Sequence, residues 1–141
     1  MRPGRGFTAR ANHPNTILYG WNRMKIMGLG ERDTLELLRG IMVRSVCDQG
    51  PDLTARQLAV LLIVALEAGP HTVRGLALRL NIAKPAVTRA LDALARHDFI
   101  RRRPDEDDLR SVLVERTPAG TAFLRAFAAP VAETPQVAAA A

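Results

Sequence analysis

The stretch that leaves this chain least freedom is 73–97. Two helical segments, Val73–Leu80 and Lys84–His97, are separated only by Asn81-Ile82-Ala83. Thr72 precedes the first as an N-cap, its hydroxyl able to accept a free backbone N–H. Leu76, Ala77 and Leu80 recur on its inward face, with Arg74 and Arg79 on the other. Asn81 tolerates the left-handed conformation that ends helices. Pro85 suits the first turn of the second segment, where a missing N–H has no helical partner. Val87, Ala90, Leu91 and Leu94 form its buried stripe, and Lys84, Thr88, Arg89, Asp92 and Arg96 its opposite face. So short a link forces a steep crossing, and the second helix protrudes.

The flanking sequence completes the pattern. Two helices come before. Thr34–Asp48 has Asp33 and Glu36 at capping-box spacing and Leu35, Leu38, Met42 and Val46 on one face. Ala55–Ala68 opens with the box Thr54/Gln57 and carries a stripe of Leu58, Leu61, Leu62, Ala65 and Leu66. Gly50-Pro51 and Gly69-Pro70 punctuate the two. Two short strands follow the basic helix, Phe99–Arg102 and Ser111–Glu115. Their link, Arg103–Arg110, contains Pro104 and four consecutive acids at 105–108. Thr117 and Pro118 then start a last helix that ends near Ala129-Pro130. The expected fold is mainly α with a small β-hairpin wing, a winged helix-turn-helix. It occupies 31–129, between a basic N-terminal arm at 1–30 and an Ala/Pro-rich tail at 130–141.

Composition narrows the function. Formal net charge is +6, and 18 of the 20 basic residues are arginine. Guanidinium forks suit phosphates and guanine edges, so a polyanionic partner is favoured. The protruding helix could enter the major groove, about 12 Å wide. Six cations fall within 84–103 (Lys84, Arg89, Arg96, Arg101, Arg102 and Arg103) against Asp92 and Asp98. Thr72 and Arg74 extend this face as candidate DNA contacts. The single cysteine, Cys47, permits no internal disulfide, and no Cys/His cluster could hold zinc. Cys47 is read as structural rather than as a peroxide sensor, and His71 as solvated. No catalytic or cofactor spacing stands out, so the chain is read as neither an enzyme nor a cofactor or metal protein. The longest apolar run, Leu58–Leu66, is too short for a bilayer, and no signal peptide is recognisable. A cytoplasmic, nucleoid-associated protein is expected.

Leu53–Gly120 resembles the DNA-binding core of MarR-type transcriptional regulators of bacteria. The most specific parts are Lys84-Pro-Ala-Val-Thr-Arg89, Asp108-Leu-Arg110 and Leu113–Gly120. The resemblance implies that Lys84, Pro85, Ala86, Thr88 and Arg89 face the major groove. It implies that Arg110 enters the minor groove, where arginine reads shape, and that Asp108 orients it. Ala83 stands where a serine cap is usual, Leu109 where a wing arginine is usual, and Asp98 where a glycine is usual. The usual final dimerisation helix has no counterpart among the recognisable elements.

The leading expectation is a transcriptional regulator, a repressor, bound to double-stranded DNA. Helix 84–97 would read the major groove and wing 103–111 the minor groove. A homodimer would form through helix 34–48 and the arm, where Tyr19, Trp21, Ile26, Met27 and Leu29 offer apolar surface. Two other readings stay open: a protein-interaction module on a winged-helix scaffold, and a low-specificity nucleoid-type DNA binder.

Overall fold

A computed structural model describes residues 28–132. The expectations for the arm up to residue 27, and for the tail from 133, lie outside the described residues.

The first helix, α1, spans Glu31–Cys47 and begins three residues before the expected start. Gly30 is its N-cap. Asp33 sits at the third helical position and accepts the Gly30 N–H at 3.3 Å. Asp33 thus makes the reach-back bond expected of Glu36, which instead holds Arg39 at 2.6 Å. Leu35, Leu38, Met42 and Val46 do share a face, but it points outward, each residue being 45–78% exposed. The half-buried residues are Thr34, Leu37, Gly40, Ile41 and Ser45, and α1 packs against the last described helix of the chain. Apolar residues occur on both sides of α1, so their period could not fix which side turns inward.

The second helix, α2, is Ala55–Leu66, with the Thr54/Gln57 capping box formed in both directions at 3.3 and 2.9 Å. Its buried residues are Val60, Leu61 and Val64, whereas Leu66 is 77% exposed. The expected stripe was therefore rotated. A helix apolar almost all round gives a weak phase signal. The next two helices are α3 (Val73–Leu80) and α4 (Lys84–Arg96). The inward stripe of α4 is as expected, joined by Ala86 and Ala93.

Strands β1 (Ile100–Pro104) and β2 (Val112–Arg116) form an antiparallel hairpin, with Ile100 opposite Arg116 and Pro104 opposite Val112. Both start one residue later than expected, and they end two and one residues later. Thr72 adds a bridge to Leu113, and Val114 N–H donates to His71 O at 2.9 Å. The hairpin is thereby tied to the start of α3.

The core lies among α2, α3, α4 and the hairpin base. Val60, Leu61, Leu76, Val87, Leu91 and Leu94 are almost wholly buried. Each contributes about 1.5–3 kcal/mol through removal from water. The last helix, α5, runs Pro118–Ala132, continuing past Pro130 where an end was expected. A proline in a final turn interrupts only one backbone bond. Thr117 starts α5. It is buried, its hydroxyl accepts the Gly120 N–H at 3.0 Å, and it donates to Asp98 O. Phe123 stacks on Phe99 with centroids 4.5 Å apart, which fastens α5 to the end of α4. Between α1, α5 and residues 48–53 lies a cavity of about 150 Å³, lined by Met42, Leu58 and Phe127 among others.

Candidate nucleic-acid interface

The protruding helix owes its placement to the turn before it. Asn81 adopts φ 52°, ψ 46°, and Ile82 N–H returns to Ala77 O at 3.1 Å. Thr72 caps α3 through Gly75 N–H at 3.0 Å. The opening of α4 lacks such help: Ala83 is its N-cap without a side-chain bond, and Pro85 occupies the first turn. The first N–H groups of α4 therefore have no side-chain acceptor at the cap.

Lys84, Pro85, Thr88 and Arg89 are exposed together on this end of α4. Thr88 Oγ1 donates to Lys84 O at 3.1 Å, one turn back. Ala86 differs from the expectation, being only 9% exposed, so its side chain packs inward and is not available to a partner. Arg74 is exposed on α3. Lys84, Arg89, Arg74, Arg96 and Arg110 make no ion pair among the described residues.

The three arginines of β1 are engaged. Arg101 and Arg103 project on one side of β1 and both grip Glu115 of β2. Arg101 does so at 2.9 Å and Arg103 through a shorter Nε contact. The hydrogen bond from Arg103, then that from Arg101, holds the Glu115 carboxyl below its ordinary value, and the same bond raises Arg103. Arg102 projects to the other side, donating to Asp92 Oδ1 at 2.7 Å and to Thr88 O at 3.3 Å. It joins the wing to the middle of α4. Arg79 pairs with Glu67 at 2.8 Å.

The excess of cations over 84–103 does not extend across the whole hairpin. Between 100 and 116 there are five arginines, at 101–103, 110 and 116. Five acids, at 105–108 and 115, balance them. The wing is formally neutral, and the excess charge lies on α4. Asp108 is the wing's local organiser. Its Oδ1 accepts the backbone N–H of Arg110 at 3.0 Å and its Oδ2 the Ser111 hydroxyl at 3.0 Å. The expected Asp108–Arg110 link is therefore made through the backbone, leaving the guanidinium unengaged. Asp105 accepts Asp107 N–H at 3.0 Å, which gives one further acid a turn-forming task.

Arg102, Asp92 and Glu115 were absent from the candidate contacts named from sequence. The cross-strand register would have put Arg101 opposite Glu115, had the strand ends been known. Nothing local signals the Arg102–Asp92 pair. Among the described residues there is no His, Cys, Asp and Glu cluster able to hold a metal ion, and no helix long and apolar enough to cross a membrane.

A tight helix pair, a projecting basic helix and a hairpin beside it define a winged helix-turn-helix domain. Residues 53–112 match the model of the MarR family. Solved structures agree. A mutant MarR from E. coli is 33% identical, with a TM-score of 0.53, over 58% of this chain and 60% of that one. A probable transcriptional regulator from Pseudomonas aeruginosa is 29% identical, with a TM-score of 0.53, over 67% of this chain and 64% of that one. The match thus spans less than two thirds of either relative. A mutant S. aureus MepR bound to an oligodeoxyribonucleotide is 23% identical, with a TM-score of 0.61, over 75% of each chain, and shares the fold. Comparison with curated protein sequences gives no match.

Proposed function

We propose that the chain is a sequence-specific DNA-binding transcriptional regulator that acts as a repressor. One observation carries this reading. The exposed cations of α4, Lys84 and Arg89, have no acidic partner, while the arginines at the wing base are neutralised within the protein. Cations left unpaired beside a protruding helix fit phosphates and base edges. Arg110, unengaged at the wing tip, reads the minor groove. A MepR of the same fold is bound to an oligodeoxyribonucleotide, which supports DNA as the partner.

The outward face of α1 supports a homodimer. Leu35, Leu38, Met42, Val43 and Val46 are all exposed on α1, apolar surface of the kind that marks protein contacts. Two reading heads would then address paired half-sites.

A genome-wide binding map with a reporter for the adjacent gene tests the reading. Discrete peaks are expected, with Arg89→Ala and Arg110→Ala each weakening a peak sequence by about 1–3 kcal/mol. Reporter output should rise when the protein is deleted. Uniform coverage of the genome, or variants that bind like wild type, would overturn it.

A further inference from the structure

Leu109 is the most exposed of the large apolar side chains described, at 88%. It does not hang from a loose loop. Asp108 braces the turn through Arg110 N–H and Ser111 Oγ, Ser111 N–H returns to Asp108 O at 2.8 Å, and Asp105 N–H bonds Ser111 O at 3.2 Å. The braced turn presents two neighbouring side chains without partners among the described residues, Leu109 and Arg110.

Net charge gives this wing no attraction to DNA, which leaves Arg110, among the described residues, as its one unpaired cation near the tip. The hairpin is formally neutral, and the acids 105–107 flank the tip, where they oppose close approach to phosphates. A contact there must be made deeper than the backbone. The minor groove is about 6 Å wide. Its sugar walls are apolar, and its negative potential, strongest where it is narrow, attracts an arginine. Leucine is among the apolar side chains that proteins insert between base steps in that groove.

We propose that Leu109 is a minor-groove contact, packing against the sugar walls beside Arg110, so that the wing holds DNA by apolar fit plus one cation. The favoured duplex has a narrow A·T-rich groove next to a flexible pyrimidine–purine step. The proposal rests on the DNA-binding reading above.

The test uses full-length wild type, Leu109→Ala and Leu109→Arg on a DNA fragment taken from a genome-wide binding peak. Binding is measured against salt and the complexes are footprinted with hydroxyl radicals. Leu109→Ala should weaken binding about fivefold or more, since three carbons leave an apolar contact. Its salt slope should stay unchanged, and protection should disappear from the minor groove flanking the α4 site. Leu109→Arg should steepen the slope by about 0.9, the signature of one added phosphate contact. If Leu109→Ala keeps wild-type affinity and wing protection, the proposal fails while DNA binding stands. If wild type protects no DNA, the DNA-binding reading itself fails. Position 109 is exposed, so both variants should melt like wild type, and a lowered melting temperature would instead assign Leu109 a packing role.

Discussion

Arg102 reaches Asp92 at 2.7 Å from the opposite side of the strand to its neighbours, and so braces the wing against α4. The same guanidinium also takes the Thr88 carbonyl. Wing and helix are joined covalently only through residues 97–99, and the ion pair adds a second tie between them further along both elements.

Breaking this pair should separate stability from binding. Both side chains are more than one third exposed, so the pair contributes under about 1 kcal/mol to folding. Arg102→Ala should shift the melting temperature by no more than a few degrees. Binding to an operator fragment should fall about tenfold, because the two contacting elements lose their alignment. Asp92→Asn should act in the same direction, and a double variant should lose little more than either single one. Additive losses in that cycle would show that the two residues act independently.

Glu115 sets a pH signature. Its ordinary value is 4.5, and the two arginines push it lower in the folded chain. A carboxyl depressed by folding stabilises the fold above its unfolded value and loses that contribution as pH falls through the folded value. The hairpin clamp should therefore be intact at neutral pH and release only below about pH 4.5. A carbon-detected NMR titration should place the Glu115 midpoint under that of a free glutamate. In Glu115→Gln the acid-induced loosening of the hairpin should disappear, and two arginines should become available to phosphate.

Gly120 admits no side chain. A Cβ there would lie 2.2 Å from the carbonyl oxygen of Phe99, which is backbone and cannot swing aside. Gly120→Ala should displace α5 from the end of α4 and cost about 2–4 kcal/mol, within the range of overpacked cores. Chemical denaturation would measure it. A neutral or stabilising result would contradict the close approach of the two segments.

The exposed apolar surface of α1 should decide assembly. Leu38→Glu and Val46→Glu place charges on exposed positions, so each chain should fold with unchanged helical content. Light scattering should show wild type as a dimer and both variants as monomers at the same concentration. Monomeric wild type would remove the dimer proposal.

Features made by a few adjacent residues were legible in the sequence. The Thr54/Gln57 box, the Asn81 turn, the Thr72 cap and the cap at Thr117 each depend on contacts within about one helical turn. The MarR-type fold followed from their order. The phases of α1 and α2 were not legible, because apolar residues surround both helices and only tertiary contact selects a side. At the interface, the exposure of Lys84 and Arg89 followed from the period of α4. Ala86 broke that period because α4 buries a wider arc than a minimal stripe. The fates of Arg101, Arg102 and Arg103 depend on partners 14, 10 and 12 residues away in sequence. Alternation along β1 sends the middle one to α4 and its neighbours to Glu115, a sorting that requires the strand ends to be known.

The packing of α1 on α5 has a consequence for synthesis. The first described helix finds its partner in the last described one, so α1 cannot dock until the residues up to α5 have been made. The segments of the central core lie between them and can assemble in the meantime. A fragment ending before residue 118 should thus hold the helix pair and hairpin but an undocked α1, whose oily surface invites chaperone capture.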